Sequence, residues 1–245
     1  MKKLITVILA AGKGTRMKSD LPKVVHKING KELIKYVIDQ AKKAGSDEIL
    51  LVTGHKKNVV IKATSGLGVR YAEQEEQLGT GHAVMQAEEF LKDINGDVLI
   101  LCGDVPLLKP QTLIGLRQHH DLSSNSATVL TTEFDDPAGY GRIIKDKNGE
   151  ILKIIEQKDA NEEEKKVKEI NSGVYIIDKD DLFDSLKHIS SDNAGNEYYL
   201  TDVIGILKRK DKKVGTYRIQ NNKEILGINT IEQLKFAESI ISAGK

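Results

Sequence analysis

A single cysteine, Cys102, serves the whole chain of 245 residues. That excludes an internal disulfide and a cysteine-based zinc cluster. Cys102 closes an apolar run, 97–101, so it reads as a buried thiol rather than a nucleophile. An excess of either charge is missing too: 37 Lys and Arg face 36 Asp and Glu. No net field draws the chain to nucleic acid or to an anionic membrane. The first apolar run stops at Ala11, far short of a bilayer span, and no small-residue cleavage pattern follows it. A cytoplasmic protein without nucleic-acid or membrane partners is therefore expected. Lys208-Arg209-Lys210 and Lys212-Lys213 are interrupted by Asp211 and suit a helix C-terminus. His119-His120 has no carboxylate or further histidine at ligand spacing and reads as a solvated helix end.

Two common nucleotide signatures are also absent. Gly12-Lys13-Gly14-Thr15-Arg16 is followed by Met17, so the third glycine of a dinucleotide fingerprint is missing, and no P-loop spelling occurs anywhere. What stands there instead is an apolar strand pattern, Leu4 to Leu9, emptying into Ala10-Ala11-Gly12-Lys13-Gly14. A buried parallel strand followed at once by small residues exposes backbone N–H groups at the carboxyl edge of a sheet. Ala10, Ala11, Gly12 and Gly14, just past Leu9, leave no side chain to hold an anion away from the backbone, while Lys13, Arg16 and Lys23 add charge around the same turn. Polyphosphate fits this chemistry; a glycine-rich turn with solvated cations is the plain alternative.

Along the chain, apolar residues at Leu33, Ile34, Val37, Ile38, Ala41 and Ala44 keep helical period and stop before Gly45, after an Asn29-Gly30 turn. Strands are expected over 48–53 and 69–72, helices over 59–63 and 83–91, and a buried strand over 97–101. Alternating βαβ units of this kind predict an α/β fold with a Rossmann-like, doubly wound sheet. The last of these strands delivers Gly103 and Asp104 to the ligand edge. A lone carboxylate beside a triphosphate has an obvious use as a Mg²⁺ ligand. A helix over 111–119 and a strand over 127–134 follow. Then Lys147-Asn148-Gly149 between two β-type runs signals a hairpin, so the sheet becomes mixed. Residues 161–168 read as a solvated short helix, 174–177 as a strand and 179–186 as a helix.

Leu9-Ala10-Ala11-Gly12-Lys13-Gly14-Thr15-Arg16-Met17 with Leu21-Pro22-Lys23 closely resembles the signature of the nucleotide-sugar pyrophosphorylases, which join a sugar 1-phosphate to a nucleoside triphosphate. The likeness continues through Gln77 to Ala83, Gly103 to Leu107, Gly139 to Ile143, Glu156 to Ala160 and Ile170 to Gly173. The ordered set resembles the uridylyltransferase half of the bacterial bifunctional N-acetylglucosamine-1-phosphate uridylyltransferases. This resemblance implies a nucleotidyltransferase fold of the glycosyltransferase-A-like kind, UTP and N-acetylglucosamine 1-phosphate as substrates, and Mg²⁺ as cofactor. It implies that Gln74 and the Gly79-Thr80 backbone read the uracil, and that Gly141, Glu156 and Asn171 line the sugar pocket. It also makes Asn229 the second metal ligand beside Asp104, with Arg16 and Lys23 acting on the phosphates. Gln74 carries both a donor and an acceptor for the uracil edge, so UTP is expected to outrank CTP. His82, at a helix start, is expected to be structural or solvated.

The implied boundaries are a nucleotidyltransferase domain over 1–228, with a nucleotide half near 1–110 and a sugar half near 111–228. A helix over 229–245 closes it, opened by a Thr230 and Gln233 capping box. Asn196 to Asp202 matches a family stretch except that Asn196 replaces a glycine, and is assigned to the sugar side. Thr230-Ile231 departs from the polar residues usual after Asn229. No hexapeptide repeat is present, so no β-helix acetyltransferase domain and no acetyl transfer are expected. A monomer or small homo-oligomer is expected. Two alternatives stay open: a different sugar 1-phosphate or base, and a regulatory domain that binds a nucleotide sugar without turnover.

Overall fold

The computed structural model describes residues 2–17 and 19–243. Met1, Lys18, Gly244 and Lys245 lie outside them, so the expected closing helix is followed only to Ala243. The chain runs β1 (Lys3–Ala10), β2 (Lys27–Ile28), β3 (Lys31–Glu32), α1 (Leu33–Lys43), β4 (Glu48–Thr53), α2 (Lys57–Thr64) and β5 (Arg70–Glu73). Next come α3 (Thr80–Met85), α4 (Glu88–Leu91), β6 (Gly96–Cys102), α5 (Pro110–Ser123), β7 (Ala127–Glu133), β8 (Arg142–Lys145), β9 (Ile151–Ile155) and α6 (Glu162–Lys165). It closes with β10 (Glu169–Asp178), α7 (Lys179–Leu186), α8 (Asp202–Arg209), β11 (Val214–Arg218) and α9 (Ile231–Ala243).

β1 is the axis of a mixed sheet of nine strands among the described residues, ordered β11-β7-β10-β6-β1-β4-β5, with β8 and β9 branching from β10. It pairs in parallel with β4 on one side and β6 on the other, so the strand order reverses at its carboxyl end. That reversal opens the crevice in which α/β sheets bind ligands. β1 is apolar on both faces because both are covered: Ile5 and Val7 join the core under α3, α7 and α8, while Leu4 and Ile8 join the core under α1, α2 and α5. Helix α1 lays Ile34, Val37, Ile38 and Ala41 on the sheet, the three larger side chains each worth roughly 1.5–3 kcal/mol when fully buried, and turns Leu33 to a separate cluster with Ile28, Leu107, Ile228 and Ala237. It stops in a Schellman motif, with Gly45 at φ +85°, Gly45 N donating to Lys42 O at 3.0 Å and Ser46 N to Ala41 O at 3.2 Å.

Several sequence expectations are corrected. The helix expected over 83–91 is two helices, because the Gln86 side chain donates to the His82 carbonyl at 3.0 Å and the backbone N–H of Gln86 turns to Ala83 O at 3.3 Å instead. Asn29 and Gly30, both at positive φ, do not merely precede α1 but turn the β2–β3 hairpin. β10 reaches back to Glu169, so the Ile170 to Gly173 motif lies inside a strand, kinked by a bulge between Asn171 and Tyr175 with Gly173 at φ +78°. β11, a segment to which the sequence reading assigned no element, adds a parallel edge to β7. His120 is not solvated: it is 3% exposed, shares a hydrogen bond with Thr128 Oγ1 at 2.9 Å, and stands 3.7 Å from the Asp97 carboxylate. Its place seven residues after Leu113 and four after Leu116 puts it on the buried face of α5.

Candidate active site

The carboxyl end of β1 is shaped by glycines. Gly14 adopts φ +64°, and a Cβ there would stand 2.7 Å from the Lys23 Cβ, so only glycine lets the loop cross over Lys23. Around Gly12 the space is open. Met17, which displaced the third fingerprint glycine, is 1% exposed and roots the returning chain in the core. Gly103 N donates to Leu9 O at 2.9 Å, and a Cβ at Gly103 would lie 2.8 Å from Ile34 Cδ1. That contact seats Asp104 beside β1.

From Asp104 the site closes over long sequence distances. Its carboxylate pairs with the Lys23 ammonium, and its backbone carbonyl accepts from Ile228 N at 2.9 Å. The latter bond brings Asn229 to the same place. Asn229 Oδ1 then accepts from Lys23 Nζ and from Arg16 Nη2, each at 3.0 Å. Arg16, Lys23, Asp104 and Asn229 are thus one cluster, at the mouth of a cleft of about 310 Å³ floored by Leu9, Ala10, Ala11 and Gly12. Gln74, Gly79 and Thr80 form its opposite wall.

That wall is fastened by a segment the sequence reading gave to the sugar side alone. Gly79 adopts φ +115°, and a Cβ there would be 2.6 Å from the Tyr198 carbonyl oxygen. Gly81 N donates to Tyr198 O and Tyr198 N to Leu78 O, both at 2.8 Å, while Leu200 N donates to Thr80 Oγ1 at 3.1 Å. Gln74, 3% exposed, has its Nε2 3.1 Å from Gly79 O and 3.2 Å from His82 Nδ1. His82 is therefore partnered at the wall rather than solvated. Tyr198 and Leu200 act here through their backbone, which no residue-type pattern signals.

A second polar cluster joins Gly141, Glu156 and Asn171. Asn171 N donates to Gly141 O at 2.9 Å, and its Nδ2 donates to the buried Tyr175 hydroxyl at 2.6 Å. A Cβ at Gly141 would stand 3.5 Å from both Glu156 carboxylate oxygens. Burial pushes the Glu156 carboxyl up; the hydrogen bond from Thr201 Oγ1, 3.1 Å away, opposes this, and the charges of Asp159, Asp202 and Glu197 add to it. Behind the loop, Arg142 is 2% exposed and donates to Tyr140 O and to Gln157 Oε1. Tyr175, Thr201 and Arg142 escaped the sequence reading, since an isolated polar residue in a strand or turn carries no local mark of burial.

Cys102 lies between the two clusters. It is half-buried and lines the cleft rather than being fully buried as expected, with its Sγ 3.8 Å from Gly173 O. Burial, with help from Asp104 and against Lys23, pushes its thiol up to about 12. It stays a thiol at neutral pH and is a poor nucleophile.

The family model for nucleotidyl transferases matches residues 5–222. The chain belongs to the nucleotidyl transferase family. The bifunctional protein GlmU of Caldanaerobacter subterraneus subsp. tengcongensis is 51% identical over 241 residues, which are 98% of this nucleotidyl transferase and 52% of that protein. The bifunctional protein GlmU of Clostridium botulinum strain Loch Maree is 50% identical over 235 residues, 96% of this chain and 51% of that protein. The chain spans about half the length of the curated relatives it matches. A crystal structure of UDP-glucose pyrophosphorylase complexed with UDP-glucose superposes with a TM-score of 0.80, covering 100% of each chain at 22% identity, which shows that the fold is shared. Among the described residues of this nucleotidyl transferase no helix is long and apolar enough to cross a membrane. Nor does any group of three or more His, Cys, Asp and Glu side chains form a metal site.

Proposed function

We propose that this nucleotidyl transferase joins UTP to N-acetylglucosamine 1-phosphate, giving UDP-N-acetylglucosamine and pyrophosphate. The observation that carries the reading is the convergence of Arg16, Lys23, Asp104 and Asn229 beside a cleft lined by Leu9, Ala10, Ala11 and Gly12. The near-half identity to GlmU relatives along almost the whole chain supports the choice of substrates.

In this reading the triphosphate lies on the Leu9 to Gly12 floor, the uracil on the Gln74 to Thr80 wall, and the sugar hydroxyls against Gly141, Glu156 and Asn171. The nucleotide half of the chain thus faces the sugar half, although Tyr198 from the latter fastens the base wall. A phosphate oxygen of the sugar phosphate attacks the α-phosphorus in line, a new P–O bond forms, and the bond to the β-phosphate breaks to release pyrophosphate. Both partners are anions, so the residues act by alignment and charge. Arg16 and the loop amides hold the departing phosphates, and Lys23 stands against the attacking or transferred one.

The donor set fits magnesium. Asp104 Oδ2 and Asn229 Oδ1 already converge on one cation, the Lys23 ammonium, and one carboxylate with one amide oxygen suits an ion that keeps phosphate oxygens and waters as further ligands. Bound there, it would neutralise charge on the triphosphate.

Pyrophosphate release measured with each nucleoside triphosphate, Mg²⁺ and a panel of sugar 1-phosphates tests the proposal. UTP with N-acetylglucosamine 1-phosphate is expected to be fastest. Turnover that is faster with another sugar or base would replace the substrates. Nucleotide-sugar binding without turnover would make the chain a regulatory domain.

A further inference from the structure

The Gln74 amide is held by more than its own loop. Its nitrogen faces Gly79 O at 3.1 Å and His82 Nδ1 at 3.2 Å. A carbonyl can only accept, so the end of the amide facing Gly79 is the NH₂ end, and in the tautomer in which His82 Nδ1 accepts, both of its protons are spent on the protein. The remaining polar atom, Oε1, is an acceptor only. In that tautomer Gln74 offers a base an acceptor alone, where the residue type by itself allows both a donor and an acceptor.

We infer that His82 sets base choice by holding the Gln74 amide so that it presents Oε1 alone; this rests on the reading of Gln74 as the residue that meets the base. Uracil carries a proton on N3 and pairs with Oε1. Cytosine carries a lone pair there and meets oxygen with no proton between. Accepting cytosine would require the amide to turn over, which breaks both its bonds and sets oxygen against the Gly79 carbonyl. Without an acceptor at position 82 the turn breaks only one.

For His82 to accept at Nδ1, its proton must sit on Nε2. Gln86 Nε2 lies 3.2 Å from His82 Nε2 and also donates to His82 O at 3.0 Å, so two amide nitrogens compete for one imidazole. A neutral ring accepts at one nitrogen only. Gln74 is 3% exposed and has no water to turn to, whereas Gln86 is half-buried beside an open groove lined by Glu73, Glu75 and Glu76. The conflict is resolved at Gln86, whose half-buried side chain can swing into the groove, where solvent satisfies its amide, and leave Nδ1 to Gln74. His82 is a positioning residue: it acts through Gln74.

Three substitutions separate this role from a structural one. In His82→Asn the Oδ1 sits as many bonds from Cα as Nδ1 does and can accept in its place. In His82→Gln the amide reaches the Nε2 position, and in His82→Leu no acceptor remains. The UTP-to-CTP ratio of kcat/KM, with UDP and CDP affinities by calorimetry as a readout independent of turnover, is measured for each. His82→Asn is expected to keep the ratio, while His82→Gln and His82→Leu lower it about three- to tenfold, the effect of one hydrogen bond. Should His82→Leu fail to fold, the Asn and Gln pair decides. An unchanged ratio in His82→Gln, or an equal fall in His82→Asn, overturns the inference and leaves Gln74 as base reader. Absence of any uridine preference in the unsubstituted protein overturns both.

Discussion

The backbone amide of Gly81 donates to the carbonyl of Tyr198 at 2.8 Å, so the Gln74 to Thr80 wall of the cleft is held by a segment that also supplies Thr201 to Glu156. Gly79 is the tightest point of that seam. Gly79→Ala forces a Cβ into φ +115° and against the Tyr198 carbonyl. It should cost about 1–3 kcal/mol of unfolding free energy, and it should raise the KM for UTP by about tenfold or more through misplacement of the wall. Urea unfolding and steady-state kinetics check the pair; unchanged UTP kinetics would detach the seam from nucleotide binding.

Asp104→Asn removes a charge that is met by Lys23 at the cleft mouth, rather than a core contact. Turnover should fall by about a hundredfold or more while circular dichroism and thermal unfolding stay near the parent values. A loss of only a few-fold at saturating Mg²⁺ would remove Asp104 from the metal assignment. Lys23→Ala and Arg16→Ala should lower kcat more than they weaken nucleotide affinity, since their charge counts most as the transferring phosphate loosens.

Arg142 is a buried cation whose guanidinium holds Tyr140 O and Gln157 Oε1, and Gln157 Oε1 in turn accepts from Gly139 N at 3.3 Å. Burial holds its pKa below the ordinary value, against the charge of Asp136. Arg142→Met fills similar space without the charge, so stability should change by less than about 1.5 kcal/mol. The released Gly139 to Gly141 loop should raise the KM for the sugar phosphate about tenfold and leave that for UTP nearly unchanged. A parallel rise in both would show that Arg142 supports the whole cleft.

At the opposite edge of the sheet, Lys2 binds Asp178 at 2.7 Å and Asp97 at 3.3 Å. Burial raises the Asp97 carboxyl, but His120 beside it and Lys2 outweigh that and hold it below the usual range. For Asp178, burial is likewise outweighed by the Lys2 hydrogen bond and the α7 backbone N–H groups. Both carboxyls titrate lower in the folded chain than in the unfolded one. Their contribution is therefore fully present above the ordinary carboxylate pKa of about 4 and is lost as pH falls through their folded values. Asp97→Asn should lower stability at neutral pH and flatten the acid limb of unfolding free energy against pH. An acid limb of unchanged slope would exclude Asp97 as a contributor.

What the sequence by itself determined is what neighbours in the chain can settle. The apolar run of β1, the period of α1 and its glycine stop, and the short solvated helix α6 all rest on interactions within a few residues. So does the Thr230 and Gln233 capping box, whose N–H bonds are made at 3.1 and 3.3 Å. The resemblance added which distant residues share a site, and the structure brings Arg16, Lys23, Asp104 and Asn229 together. Tertiary structure alone decided that β11 pairs with β7, that His120 and Arg142 are buried, and that Tyr198 holds Gly79 and Gly81. It also decided that the Gln74 amide nitrogen faces the Gly79 carbonyl. These outcomes depend on backbone groups and burial contributed by segments far away in the chain, and a carbonyl that holds an amide looks the same in sequence whichever residue carries it.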